Sequence, residues 1–247
     1  MSENGWDTSA AAWIQSMGKD GDEGRRFVLD PAFSSWLEGR NFETALDVGC
    51  GEGRLIRMLA QRNIPACGID PTRTLIERAR ELHPGGDYRI GSAEELPFPN
   101  GEFDLVLSCL SLIDIRDFRD AIREMARVLR PGGTLLVMNL TAIATSGANL
   151  GWERDAEGRR RGFMIDHYGT EWSAWVEWGG IRIKNWHRPL SAYMQTYLDC
   201  HLALVRFEEP PYVGADEDLR DRYTRAPWFH LVEWRKPARD EGRPVLD

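Results

Sequence analysis

No run of apolar residues in the chain nears the roughly 18 that a membrane-spanning helix needs, which predicts a globular protein with no membrane partner. Cysteine is sparse. Cys50, Cys67, Cys109 and Cys200 stand far apart with no CxxC pair, so neither a zinc site nor a disulfide framework is indicated, and reduced thiols are expected. No set of His and carboxylate residues has ligand spacing either, and no metal is expected. Basic charge is in deficit: 31 Lys and Arg stand against 39 Asp and Glu, a formal charge of -8, whereas tracking a phosphate backbone needs a field of cations. A small-molecule partner is expected and nucleic acid is not. The start, Met1-Ser-Glu-Asn-Gly5, carries acid where a secretory signal has a basic and then an apolar segment, so the cytoplasm is the expected compartment. What is in excess is tryptophan, 10 in 247 residues, much of it between Trp152 and Trp186.

From Thr44 onward, short apolar runs alternate with helical patterns, the signature of a parallel sheet flanked by helices. Thr44-Ala-Leu-Asp-Val48 reads as a strand, Gly49-Cys-Gly-Glu-Gly53 as a loop, and Leu55, Met58 and Leu59 as one helical face. The unit repeats, with Ala66-Cys-Gly-Ile-Asp70 as strand, Thr72 as helix cap, and Leu75, Ile76, Ala79 and Leu82 as the next stripe. A third strand falls near Tyr88-Arg-Ile-Gly91, and the apolar run Phe103-Asp-Leu-Val-Leu-Ser108 predicts a fourth that is buried. A helix follows, with Phe118, Ala121, Ile122, Met125, Val128 and Leu129 on its face, and Arg130-Pro-Gly-Gly133 stops it before a fifth strand, Thr134-Leu-Leu-Val-Met138.

The rhythm breaks over residues 141–188, where strand-like aromatic stretches run from Phe163 to Tyr168, from Trp172 to Trp178 and from Ile181 to Trp186. Gly179-Gly180 between the last two is a hairpin signal. The α/β pattern resumes with a helix near Pro189 and strands at Leu202 to Phe207 and Phe229 to Trp234. Upstream, one helix is expected from Ser9 to Met17 with Thr8 as cap, and another from Asp30 as cap, through Pro31, to Gly39. Residues 41–140 and 189–247 are thus read as one α/β domain, residues 1–40 as a helical lid, and residues 141–188 as an inserted substrate cap.

A glycine loop between strand and helix brings backbone N–H groups close to a ligand, and spacing narrows the choice. A dinucleotide fingerprint would put glycine at position 54, where Arg54 stands, and no Gly-Lys-Ser/Thr follows for a triphosphate. Asp47, two residues before the first glycine, would repel a diphosphate and suits a cation, while Asp70 ends the second strand, where a carboxylate reaches a ribose. Leu46-Asp-Val-Gly-Cys-Gly-Glu-Gly53, Gly68-Ile-Asp70, Ala93-Glu-Glu-Leu-Pro-Phe98, Phe103-Asp-Leu-Val-Leu-Ser108 and Val128-Leu-Arg-Pro-Gly-Gly133 occur in order. In these motifs the chain resembles the class I S-adenosylmethionine-dependent methyltransferases, and within them the branch that includes ubiquinone and menaquinone biosynthesis enzymes.

The resemblance implies a doubly wound, seven-stranded Rossmann-like sheet, with S-adenosyl-L-methionine as cofactor and S-adenosyl-L-homocysteine as product. It places Asp47, Gly49, Cys50 and Gly51 around the methionine part and Asp70 on the ribose. Pro71 and Thr72 then lie beside ribose and adenine, Ala93 and Glu94 border the adenine, and Ser108 with Cys109 lie below the methionine part. Ser92 departs from the Asp common in relatives, so adenine recognition passes to Glu94 or to backbone.

For the methyl acceptor, the insertion supplies polar groups mixed with tryptophans, a lining suited to a flat organic molecule. Tyr168, Trp172, Trp178, Asn185 and Arg188 are the expected substrate contacts. His187 is the first choice for a general base, His167 the second, and Asp114, after the fourth strand, the third. The expected function is methyl transfer to O, N or C of a small aromatic metabolite by a monomer or homodimer. The alternatives are a tRNA or protein methyltransferase and a non-catalytic cofactor-binding module.

Overall fold

The computed structural model describes residues 4–147 and 150–238. Helix α1 (Trp6–Met17) comes first, then a π-helical turn over Arg25–Leu29 that runs without a break into α2 (Asp30–Leu37). Three strand-helix alternations follow: β1 (Ala45–Val48), α3 (Arg54–Ala60), β2 (Ala66–Asp70), α4 (Arg73–Leu82), β3 (Asp87–Ile90), β4 (Phe103–Cys109), α5 (Phe118–Val128) and β5 (Leu129–Leu140). Residues 141–188 contribute α6 (Ala142–Ser146) and two hairpins, β6 (Trp152–Arg154) with β7 (Arg160–Phe163), and β8 (Trp172–Trp178) with β9 (Ile181–His187). The chain ends in α7 (Leu190–Asp199), β10 (Ala203–Glu208), α8 (Glu217–Arg225) and β11 (Phe229–Arg235).

The seven-stranded sheet has the order β10-β11-β5-β4-β1-β2-β3, a doubly wound Rossmann-like arrangement in which β11 alone runs against the other six strands. Strand β1 is where the order reverses, and a crevice opens at the carboxyl ends of the strands at such a point. Both faces of the sheet are covered. Along β4, Val106 packs into one core with Phe118 and Met125, while Leu105 and Leu107 pack into another with Phe33 and Trp36, as alternation along a strand requires.

Several local expectations need correction. Thr8 does not cap α1, which starts one turn earlier after Gly5 (φ 85°), and the Thr8 hydroxyl donates to the Gly5 carbonyl. Asp30 is not a cap either, because the helical chain already runs through it; its carboxylate accepts from Nε of Arg54 at 3.0 Å. Of the stretch from Phe163 to Tyr168 only Phe163 is in a strand, since the residues beyond it have no partner strand. Helix α8 escapes an apolar-periodicity reading because it buries no residue; its signature is the Asp216 cap accepting from Leu219 N, acid in the first turn and arginine in the last.

Helix α1 packs through Ala10, Trp13 and Met17 against Ile181 and Ile183 of β9 and Leu75 of α4. The Ser9 hydroxyl donates to the Arg182 carbonyl at 2.9 Å and accepts from its N–H at 3.0 Å. The segment after α2 is anchored by charge: buried Glu233 accepts from Trp36 Nε1 at 2.7 Å and from both Arg40 amino groups at 2.8 and 3.0 Å. Burial alone would raise the Glu233 pKa, but these donors hold it below the ordinary value. Arg40→Met leaves that carboxylate buried without its cation, and should cost about 2–4 kcal/mol in urea denaturation; a loss below about 0.5 kcal/mol would mean the pair adds nothing net.

Candidate cofactor and acceptor site

Between Val48 and Arg54 the chain must leave a strand and enter a helix within one tight turn, and three glycines make it with positive φ: Gly49 at 76°, Gly51 at 52° and Gly53 at 77°. A Cβ at Gly49 would lie 2.3 Å from Cβ of Ser111, and one at Gly53 2.5 Å from the Tyr88 ring, so packing requires both glycines. At Gly51 a Cβ would meet nothing within 4 Å, and this residue lines a cavity of about 600 Å³. That volume lies in the range of about 300–1,000 Å³ usual for small-molecule sites. The turn is tied to β2: Gly49 N and Cys50 N donate to the Ile69 carbonyl at 2.8 and 3.1 Å, and Gly51 N donates to the Asp70 carboxylate at 3.0 Å.

The cavity is walled by Asp47, Gly49, Cys50 and Gly51, by Asp70, Pro71 and Thr72 after β2, by Ala93 and Glu94 after β3, and by Cys109 at the end of β4. Ser108 is not in the wall. It lies beneath, hydrogen-bonded at 2.7 Å to Ser111, whose hydroxyl donates to the Val48 carbonyl. Ser92 donates to Glu94, orienting the carboxylate that the sequence offers to an adenine. Trp6, Trp13 and Met17 of α1 and Lys184 and Trp186 of β9 complete the enclosure. No local pattern marks these residues as lining, because they reach the cavity only through tertiary packing.

Besides Glu52, which is paired with Arg57 at 2.7 Å, three buried carboxylates share this space. Burial, reinforced by Asp70, pushes the Asp47 pKa up to about 7, and its Oδ1 has no hydrogen-bond partner. Burial also raises Asp70, opposed by the N–H groups of Thr72 (2.8 Å) and Gly51. Asp114 is pushed up to about 7 by burial, against the donors Trp6 Nε1 at 3.0 Å and Asn185 Nδ2. Of the cations in the wall, Arg54 is neutralised by Asp30 and Arg25 by Asp22.

The histidine expectations are not met by the geometry. His187 does not line the large cavity: it is buried with both ring nitrogens engaged, Nε2 donating to the Tyr168 carbonyl at 2.9 Å and Nδ1 accepting from Thr145 at 2.7 Å in the neutral form. Burial and Arg188 lower its pKa, so it serves as a clamp with no lone pair to spare. His167 points to solvent with its side chain 75% exposed. Asp114, the third choice, is the one the fold brings to the cavity.

Of the expected substrate contacts, none lines the large cavity. Trp178 is exposed at the hairpin end, and Tyr168 contributes its carbonyl to His187. Arg188 is buried and donates to the carbonyls of Leu112, Ile115 and Arg116, holding the backbone on either side of Asp114. Trp172 and Asn185 border a second, smaller cavity, and Asn185 reaches the first through Asp114.

Residues 46–137 match the family described as a methyltransferase domain. The chain is 30% identical over 148 residues to malonyl-[acyl-carrier protein] O-methyltransferase of Salmonella typhimurium, covering 58% of this chain and 59% of that protein. It is 35% identical over 136 residues to 27-O-demethylrifamycin SV methyltransferase of Amycolatopsis mediterranei, covering 52% and 49%. The matches thus span only 59% and 49% of these relatives' own lengths. An S-adenosylmethionine dependent methyltransferase from Mesorhizobium loti superposes with a TM-score of 0.72 at 27% identity, covering 88% of this chain and 100% of that one.

The residues present fit that cofactor. The unpartnered Asp47 oxygen suits an ammonium or sulfonium charge, and Asp70, with two N–H donors on about four lone-pair sites, has capacity left for hydroxyls. Because the pKa values of Asp47 and Asp114 are raised in the folded state, the folded chain binds extra protons between about pH 4 and 7, and ligand-free stability falls as pH rises through that window. Melting curves should show this fall, Asp47→Asn should flatten it, and stabilisation by S-adenosylmethionine should grow as pH rises through about 7. Equal ligand stabilisation on both sides of that window would contradict the electrostatic account.

Proposed function

We infer that this chain, which carries a class I S-adenosylmethionine-dependent methyltransferase domain, catalyses methyl transfer to a small organic acceptor. The observation that carries the reading is the three buried carboxylates that stand around one cavity beneath the glycine turn besides the Arg57-paired Glu52, namely Asp47, Asp70 and Asp114. A non-catalytic binder has use for the first two and none for the third. Both relatives' names point to an oxygen acceptor, which favours a hydroxyl or carboxyl oxygen here over nitrogen or carbon.

When bound, S-adenosylmethionine supplies a methyl group on a sulfonium, whose in-line displacement leaves S-adenosylhomocysteine. Asp47 balances the positive charge of the methionine part, Asp70 accepts from the ribose hydroxyls, and Ala93 and Glu94 border the adenine. Asp114 takes the acceptor's proton. Its two donors orient the carboxylate without blocking every lone pair, and a pKa of about 7 leaves it about half ionised and basic at neutral pH. Arg188 fixes the loop that carries it. Helix α1, which supplies Trp6, Trp13 and Met17 to the wall, acts as the lid.

The test is a screen with methyl-labelled S-adenosylmethionine against phenols, carboxylic acids and amines, following label transfer and S-adenosylhomocysteine release together. Transfer to an oxygen acceptor is expected, and cofactor binding without transfer to any class would count against an enzyme. On the acceptor found, Asp114→Asn should lower kcat by about 10²–10⁴ and change cofactor affinity by less than about threefold. The wild-type kcat should rise with pH through about 7, and the variant should lose that rise. Parallel loss of turnover and cofactor affinity would make Asp114 a structural residue.

A further inference from the structure

The second cavity, of about 360 Å³, is walled by Leu140, Ala144, Trp152, Phe163, Trp172 and Trp228, with polar groups at a few points. Two of those groups, Thr145 and His187, are bonded to each other. Three others are not satisfied: Trp152 Nε1, Trp172 Nε1 and Arg222 Nε are buried with no hydrogen-bond partner. All three are N–H donors, and among the described residues of this wall no buried side-chain acceptor is left without a partner. The Arg222 guanidinium lies over the Trp228 ring, 4.3 Å from its centroid, so its charge sits beside an aromatic surface. Such a cavity favours a flat apolar molecule carrying an oxygen that accepts hydrogen bonds, because that oxygen relieves the desolvation penalty of the orphaned donors.

The two cavities meet at β9. Trp186 borders both, and Asn185, in the wall of the small one, donates to Asp114 in the wall of the large one. We propose that the small cavity holds the body of the methyl acceptor, an aromatic molecule with a carbonyl or carboxylate oxygen. Its oxygens accept from N–H groups among Trp152, Trp172 and Arg222, and the molecule's nucleophilic atom lies across the Asp114–Asn185 pair. This assignment rests on the methyltransferase reading and adds the acceptor's class to it. It also explains why none of the tryptophans between Trp152 and Trp178 borders the large cavity.

The test titrates tryptophan fluorescence with 6-hydroxy-2-naphthoate and with 2-naphthol, in the presence and absence of S-adenosylhomocysteine. The naphthoate should bind about fivefold tighter or more than the naphthol, and Trp152→Phe and Trp172→Phe, which keep a ring and remove the N–H, should narrow that ratio to about twofold. Ala144→Phe, which fills the cavity, should weaken both probes about tenfold or more while S-adenosylhomocysteine binds as before. Wild-type protein that binds S-adenosylhomocysteine but neither probe overturns the assignment, as does unchanged probe binding in Ala144→Phe. If Ala144→Phe does not fold, the Trp→Phe pair decides, and an unaltered naphthoate preference in both overturns it. Absence of S-adenosylhomocysteine binding in the wild type would instead remove the methyltransferase reading, and the titration without it would still judge the cavity.

Discussion

The grip of Asp70 on the glycine turn is the contact on which the site depends. One carboxylate at the end of β2 accepts from Gly51 N and from Thr72 N, so it holds the turn after β1 and the start of α4 in fixed relation. The glycines make that relation possible, since Gly49 and Gly53 leave no room for a side chain against Ser111 and Tyr88. A carboxylate placed this way is buried at a cost, and the N–H groups that offset the cost also aim it. The cavity floor therefore comes from backbone geometry, and side-chain identity is needed at only a few places.

The acids around the cavity explain how one site can be poorly satisfied alone and well satisfied when loaded. Asp47 has an oxygen with no partner, and burial raises its pKa together with that of Asp114. Burial makes these carboxylates destabilising when ionised, and a cationic ligand relieves them.

Residues 141–188 hold the segment that carries Asp114. His187 joins α6 to the chain near Tyr168, Arg188 holds the carbonyls around Asp114, and Asn185 bonds Asp114 itself. Asn185 near the end of β9 and Arg188 just after it thus brace the segment after β4 from outside the parallel sheet. Residues with the chemical range of catalysts, a histidine and an arginine, are spent here on holding structure, because both ring nitrogens of the one and both amino groups of the other are already engaged.

Strand, glycine turn, helix stripe and the Gly179-Gly180 hairpin were readable because each is encoded within about ten neighbouring residues, by periodicity and by positions that demand positive φ. The acids Asp47 and Asp70 were readable for the same reason, since they flank the turn that defines them. The roles of His187 and Asp114 were not, because a side chain's function depends on what faces it: Trp6 lies 108 residues from Asp114 along the chain, and Asn185 lies 71 residues away. Likewise α1's part in the wall and the division of the tryptophans between two cavities follow from packing across β9. The sequence by itself determined the sheet, its turn and the acidic character of the cavity beneath that turn. Only the tertiary structure decided which polar groups keep a free lone pair in the cavity, because burial and the pairing of distant groups set both the pKa of a side chain and its freedom to react.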